Sequence, residues 1–163
     1  MSTLAPELKH HRRRTNSGEV LLQDSPYTIC ASIRVRAETR RLFQALTSPE
    51  YLEAWMCIPD AATRWPLVAT HGLSGFLIES FDLDSDWIRI LAAYTAFRRR
   101  RLSIHWSTER KHQIRESAVA MRLHGDFEYS VLSLCHAGFG SFDEVAWHRQ
   151  LWAASLGRLA KLF

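Results

Sequence analysis

From Tyr27 onward apolar and polar positions alternate. Tyr27, Ile29, Ala31, Ile33 and Val35 interleave with Thr28, Cys30, Ser32, Arg34 and Arg36. A period of two over this length predicts a strand with one buried face. The period then lengthens. Leu42, Phe43, Ala45 and Leu46 fall on one helical stripe, with Glu38, Arg40, Arg41 and Gln44 facing away. Ser48-Pro49-Glu50 reads as the start of a second short helix: Ser as N-cap, Pro at the first helical position, Glu at the positive end of the dipole. Tyr51, Leu52 and Trp55 supply its apolar side, and Pro59 and Pro66 mark an irregular stretch after it.

Residues 66–137 read as β. Candidate strands fall at 67–70, 75–83, 87–97, 102–107, 118–124 and 127–137. An acidic turn, Asp84-Ser85-Asp86, precedes the third of these, and Gly125-Asp126 suggests a tight turn before the last. Short turns between strands of this length predict an antiparallel meander. Gly138 and Gly140 end it. Ser141 with Glu144 three residues on has the spacing of a capping box. A long helix over 142–162 follows, with Val145, His148, Trp152, Leu156, Leu159 and Phe163 at helical spacing. Gly157 within it costs up to ~1 kcal/mol against alanine and is expected to let the helix approach the sheet closely. Residues 1–22 lack periodicity and read as a basic tail, leaving 23–163 as a single domain.

Composition adds limits. A chain of 163 residues with 47% hydrophobic and 23% charged residues can bury a core, which excludes a disordered or fibrous protein. Neither a secretory leader nor a membrane-spanning run is recognisable, so a cytoplasmic location without membrane insertion is expected. Cys30, Cys57 and Cys135 are odd in number and widely spaced, and are expected to be buried thiols. The net charge is +4, and +3 of it sits on the first eighteen residues. The folded part therefore lacks the basic face that specific nucleic-acid binding requires. Arg98, Arg99, Arg100 and Arg101 lie between apolar segments and read as a solvated hairpin tip.

No G-x-S-x-G, P-loop, H-E-x-x-H or G-x-G-x-x-G motif occurs. His10-His11 lies in the tail. Cys135 and His136 are adjacent on a predicted strand and point to opposite faces, which rules out a simple nucleophile–base pair. Asp82, Asp84 and Asp86 in a turn suit solvent. No metal and no cofactor is expected.

Four blocks resemble one family. The first runs from Ile33 through Leu42-Phe43 and Leu46-Thr47-Ser48-Pro49-Glu50 to Leu52 and Trp55. The second is Arg101-Leu102 with Trp106, the third Leu132, Leu134 and His136 with Gly138-Phe139, and the fourth Trp152, Leu156 and Leu159. Together they are similar to the activator of Hsp90 ATPase homologue (AHSA1-like) branch of the SRPBCC superfamily of START-like domains. The family's paired glycines are here His71-Gly72-Leu73-Ser74-Gly75. The resemblance implies an α+β helix-grip fold: a curved antiparallel sheet of about six or seven strands wrapped around a long C-terminal helix, with two short helices after the first strand. It also implies a cavity between sheet and helix. Face position and resemblance together nominate Trp55, Phe76, Ile78, Ile90, Trp106, Met121, Leu134, His136, Trp152 and Leu156 as its lining. Alternation points His105 outward and His136 inward, which makes His136 the first candidate for any catalysis.

Binding of a small hydrophobic molecule in that cavity ranks first. A cyclase- or dehydratase-type enzyme acting on a hydrophobic carbonyl compound in the same space ranks second, and a co-chaperone-like protein-binding module third. A homodimer is compatible with all three.

Overall fold

A computed structural model describes residues 17–23, 27–58, 75–81 and 87–163, without the side chains of residues 80, 81 and 97. The weak candidate strand at 67–70, Trp65, residues 71–74, the acidic turn and His10-His11 lie outside the described residues. The alternating segment forms a strand over Thr28–Val35, with Ile29, Ala31, Ile33 and Val35 buried. It is β2, because Val20–Gln23 pairs antiparallel along its edge as β1. The stretch read as tail therefore contributes three of its last residues to the sheet. Three half-buried residues and an exposed glutamine carry too weak an alternation to stand out in sequence.

Two short helices follow, α1 (Thr39–Thr47) and α2 (Pro49–Trp55). Leu42, Ala45 and Leu46 face the core from α1, and Leu52 and Trp55 from α2. Ser48 occupies the N-cap of α2, but its side chain makes no capping bond. Pro49 at the first helical position needs no partner for the N–H it lacks. The indole N–H of Trp55 donates to the Ala45 carbonyl at 2.7 Å, which ties the two helices together.

The meander comprises β3 (Gly75–Phe81), β4 (Trp87–Arg98), β5 (Arg101–Arg110), β6 (Gln113–Gly125) and β7 (Ser130–Ala137). The seven strands form one antiparallel sheet in the order β1-β2-β7-β6-β5-β4-β3. Gly75 opens β3 at φ +145°, and a Cβ there would lie 1.9 Å from the Ala92 carbonyl oxygen, so only glycine fits. A register shift at Tyr94/Ala96 bends β4 against β5. The arginine run forms the exposed β4–β5 tip, with Arg98 opposite Arg101. The tight turn expected at Gly125-Asp126 is a longer loop. Asp126 accepts from the Glu128 and Tyr129 backbone N–H groups at 2.8 Å each, and Phe127 is 94% exposed rather than in a strand. The Asx geometry wins because Asp can bond its own following backbone.

The C-terminal helix α3 (Phe142–Ala160) packs over β2 and β1 and against α2. Ser141 Oγ accepts from the Glu144 N–H at 3.3 Å, and the Glu144 carboxylate reaches back to the Gly140 N–H at 2.8 Å. Val145, His148, Leu151, Trp152, Ser155, Leu156 and Leu159 are buried. Ser155 anchors the chain leaving α2: Cys57 N–H donates to its Oγ at 3.1 Å, and the hydroxyl donates back to the Cys57 carbonyl at 3.2 Å. Gly157 differs from expectation. A Cβ there would meet nothing within 4 Å, so close helix–sheet approach is not its reason. Gly157→Ala is expected to raise stability by up to ~1 kcal/mol through helix propensity alone, read as a higher urea midpoint at unchanged slope.

Candidate functional site

The inner face of the sheet, with Trp55 of α2 and Trp152 and Leu156 of α3, brings the ten nominated residues into the core, and all are buried. The register makes several of them neighbours: Ile78 opposite Ile90, Met121 opposite Leu134, and Trp106 beside Ala92. Trp152 of α3 descends onto this face with its ring 5.3 Å from that of Trp106, and Phe76 meets Trp106 edge-on at 6.0 Å. Trp55 lies in the same core from α2. Alternation holds for the polar residues as well. His136 is fully buried, while His105 is exposed and paired with Glu116. Cys135 points to the opposite face from its neighbour His136.

A second histidine, His148 of α3, stands 4.9 Å from His136, ring centre to ring centre. Hydrogen bonding fixes the tautomer of each. An indole N–H can only donate, so His136 Nδ1 accepts from Trp152 Nε1 at 3.0 Å. Its Nε2–H then donates to Ser117 Oγ at 2.7 Å, and that hydroxyl donates to the Trp106 carbonyl at 3.4 Å. His148 has the opposite arrangement. Its Nδ1–H donates to the Glu144 carbonyl at 2.8 Å, and its Nε2 accepts from the Thr108 hydroxyl at 3.2 Å. Thr108 Oγ1 in turn accepts from Trp106 Nε1 at 3.0 Å. Both rings are neutral and fully engaged.

Their electrostatics follow from burial. His136 is held well below the usual imidazole range of 6.5, first by burial and then by the neighbouring His148. Burial also lowers His148 to about 4, with Arg110 pushing the same way and the Glu144 carbonyl and carboxylate pulling back.

His148 is also where the core meets solvent. Together with Thr108 and Trp147 it lines an open cleft of about 330 Å³ between the β5–β6 hairpin and the first turns of α3. Arg110, Lys111 and Arg115 border it from the hairpin, Asp143 and Glu144 from the helix. Arg115 Nε pairs with Glu144 Oε1 at 3.1 Å. The Arg110 guanidinium lies 5.5 Å from the Trp147 ring centre, and its buried Nε–H has no acceptor among the described residues. The hairpin turn is strained: Lys111 and His112 both have left-handed backbone, φ 49° and 61°. Asn-Gly suits such a turn, and a residue with a larger side chain costs roughly 1–2 kcal/mol at each position. A second, larger groove of about 720 Å³ runs between α1, the arginine tip and the β6–β7 loop, past Arg40, Phe43, Arg99, Arg100, Asp126 and Phe127. Neither cleft is lined by any of the ten nominated residues.

Sequence reasoning missed Thr108, Arg110, Lys111, Arg115 and Trp147. Thr108 extends the inward series Leu102, Ile104 and Trp106 by one more step of two. Periodicity ends the strand at residue 107, because Thr108-Glu109-Arg110 is polar although it is paired throughout with 113–115.

A family model described as "Activator of Hsp90 ATPase homolog 1-like protein" matches residues 36–163. Solved structures share the fold. Protein Ms6760 from Mycobacterium smegmatis superposes with a TM-score of 0.67 at 13% identity, over 88% of this chain and 97% of its own. Protein CV1439 from Chromobacterium violaceum gives 0.65 at 16% identity, over 84% and 97%. DynU16, a protein of the dynemicin biosynthetic locus, gives 0.59 at 21% identity, over 85% of this chain and 47% of its own. Comparison with curated proteins gives no match. No helix among the described residues is long and apolar enough to cross a membrane.

Proposed function

The chain belongs to the activator of Hsp90 ATPase homolog 1-like family, and on that footing we propose that it binds a small, largely apolar molecule between sheet and α3. The observation that carries this reading is the cleft of about 330 Å³, whose inner wall is His148 and Thr108 and which backs onto the Trp106–His136–Trp152 cluster. A space of this size is typical of small-ligand sites, and its lining sets two rings, Trp147 and His148, among mostly charged and polar side chains, which suits a molecule with an apolar body and a polar end. Trp147 gives a flat apolar wall. The Arg110 Nε–H supplies a donor for a ligand acceptor such as a carboxylate or phenolate oxygen. Apart from the stacked Tyr27–Phe142 pair, large exposed apolar side chains lie on separate elements (Tyr51 on α2, Leu91 on β4, Ile114 on β6), which favours a small molecule over a protein partner.

The enzyme reading has one specific observation in its favour, two inward imidazoles converging behind a cleft. Their state weighs against it. Both nitrogens of each ring are already committed. A base at about 4, the level of His148, removes protons poorly near neutrality.

Native mass spectrometry of protein purified from its source cells tests the proposal, with a retained small molecule as the expected result. An anilinonaphthalene sulfonate dye provides a second probe. Arg110→Ala and Trp147→Ala are each expected to weaken its uptake roughly tenfold, the loss of about 1.4 kcal/mol from a charged hydrogen bond or an aromatic wall. No retained mass, together with dye uptake indifferent to both substitutions, would sink the reading.

A further inference from the structure

The three cysteines were expected to be buried. Instead Cys135 is exposed, while Cys30 and Cys57 are partly so. Cys30 and Cys135 are also direct cross-strand partners in the β2–β7 ladder, on the outer face of the sheet, with their Sγ atoms 2.9 Å apart. A separation of 105 positions along the chain hides this pairing in the sequence.

We propose that Cys30 and Cys135 form a redox modification site, a dithiol that low-molecular-weight disulfides convert reversibly into a cross-strand disulfide. The geometry needs little change. Directly opposed residues of an antiparallel pair have Cα atoms about 4.5–5.5 Å apart, inside the range a disulfide spans. The two sulfurs already touch, so bonding requires side-chain rotation rather than strand movement. The surroundings do not obstruct access. Ser32 and Ser133 follow along the two strands on the same face, and Ala120 of β6 lies opposite Cys135.

The asymmetry of the pair sets the order of events. Cys135 is the exposed partner, so its thiolate attacks one sulfur of the incoming disulfide and releases one small thiolate, leaving a mixed disulfide on Cys135. The Cys30 thiolate then attacks the Cys135 sulfur, forms the Cys30–Cys135 bond and releases the second small thiolate. In sum the protein loses two electrons and two protons, and the small disulfide becomes two thiols. The Cys30 thiol is pushed up to about 11, chiefly by its hydrogen bond with Cys135, then by burial and by the Cys135 charge. Capping Cys135 removes the first and last of these causes, so the first step activates Cys30 for the second. With the Cys30 thiol raised in this way the pair closes slowly, as suits a modified site rather than a thiol-transfer catalyst. The new bond would clamp β2 to the strand that carries His136, one residue from Cys135.

The full chain is equilibrated with oxidised glutathione, its free thiols are alkylated, and intact mass and linked peptides are measured. Wild type should drop from three alkylatable thiols to one, Cys57, with a loss of about 2 Da and a Cys30–Cys135 linked peptide, all reversed by reduced glutathione. In Cys30→Ser the glutathione adduct should persist on Cys135. Wild type that keeps both thiols, holds an unresolved adduct on Cys135, or links Cys135 to Cys57 or to a second chain overturns the proposal.

Discussion

Trp106→Ala is expected to lower folding stability by roughly 3–5 kcal/mol, the range for removing a fully buried aromatic side chain. Trp106 is at zero exposure and sits among Phe76, His136, His148 and Trp152, with ring centres 5.3–6.3 Å away. The truncation does more than open a void. It removes the indole N–H that donates to Thr108, the residue that satisfies His148. One substitution thus loses packing area and loosens a buried polar chain, and buried polar groups left short of a partner add about 1–3 kcal/mol. Against a total stability of about 5–15 kcal/mol this is a large fraction. Urea unfolding measures it. A loss below about 1 kcal/mol, with altered dye uptake, would mean that Trp106 walls a ligand space and is not packed core.

Where periodicity was strong, the fold could be read in advance. The eight residues of β2 alternate without a break, and every other one is buried. The capping box at Ser141 and Glu144 forms as its spacing implies. Local strength of pattern decided success. Val20–Gln23 failed because an edge strand half-covered on one face has little contrast. The far end of β5 and the start of β6 carry no alternation to read, because Thr108-Glu109-Arg110 is polar throughout and polar residues surround the exposed Ile114.

The candidate site divides along the same line. Face position can be read from a period of two, so the inward placement of His136 and the outward placement of His105 were both visible. Pairing across the sheet has no local signature. His148 meets His136 only because α3 lies over the inner face of the sheet, and Cys30 meets Cys135 only because β2 returns beside the last strand. The cleft follows from the same kind of juxtaposition, a hairpin tip and a helix start that are about thirty residues apart in the chain.

The buried histidine pair should also make the protein acid-sensitive, and the sign follows from the lowering of both rings by burial. In the unfolded chain His148 titrates near 6.5; in the fold it titrates near 4. Between these values the unfolded state holds a proton that the folded state refuses, so stability is complete above 6.5 and falls as the pH is lowered. For His148 alone the loss is about 2 kcal/mol at pH 5 and about 3 kcal/mol at pH 4. His136 is also lowered and acts in the same direction. Its protonation would set a new N–H against the donor of Trp152. The charged groups facing His148, Arg110 and Glu144, oppose one another, and burial remains the largest cause. Asp126, held below 3.8 by the Tyr129 and Glu128 N–H groups, titrates beneath this window and does not shape it. Urea midpoints from pH 7.5 to 4.5 should therefore fall steadily once the pH passes below about 6.5. His148→Asn has no group to titrate there and should flatten the slope, whatever it does to stability at neutral pH. A wild-type midpoint that stays level down to pH 5 would mean that burial does not hold these rings neutral, and would overturn this account.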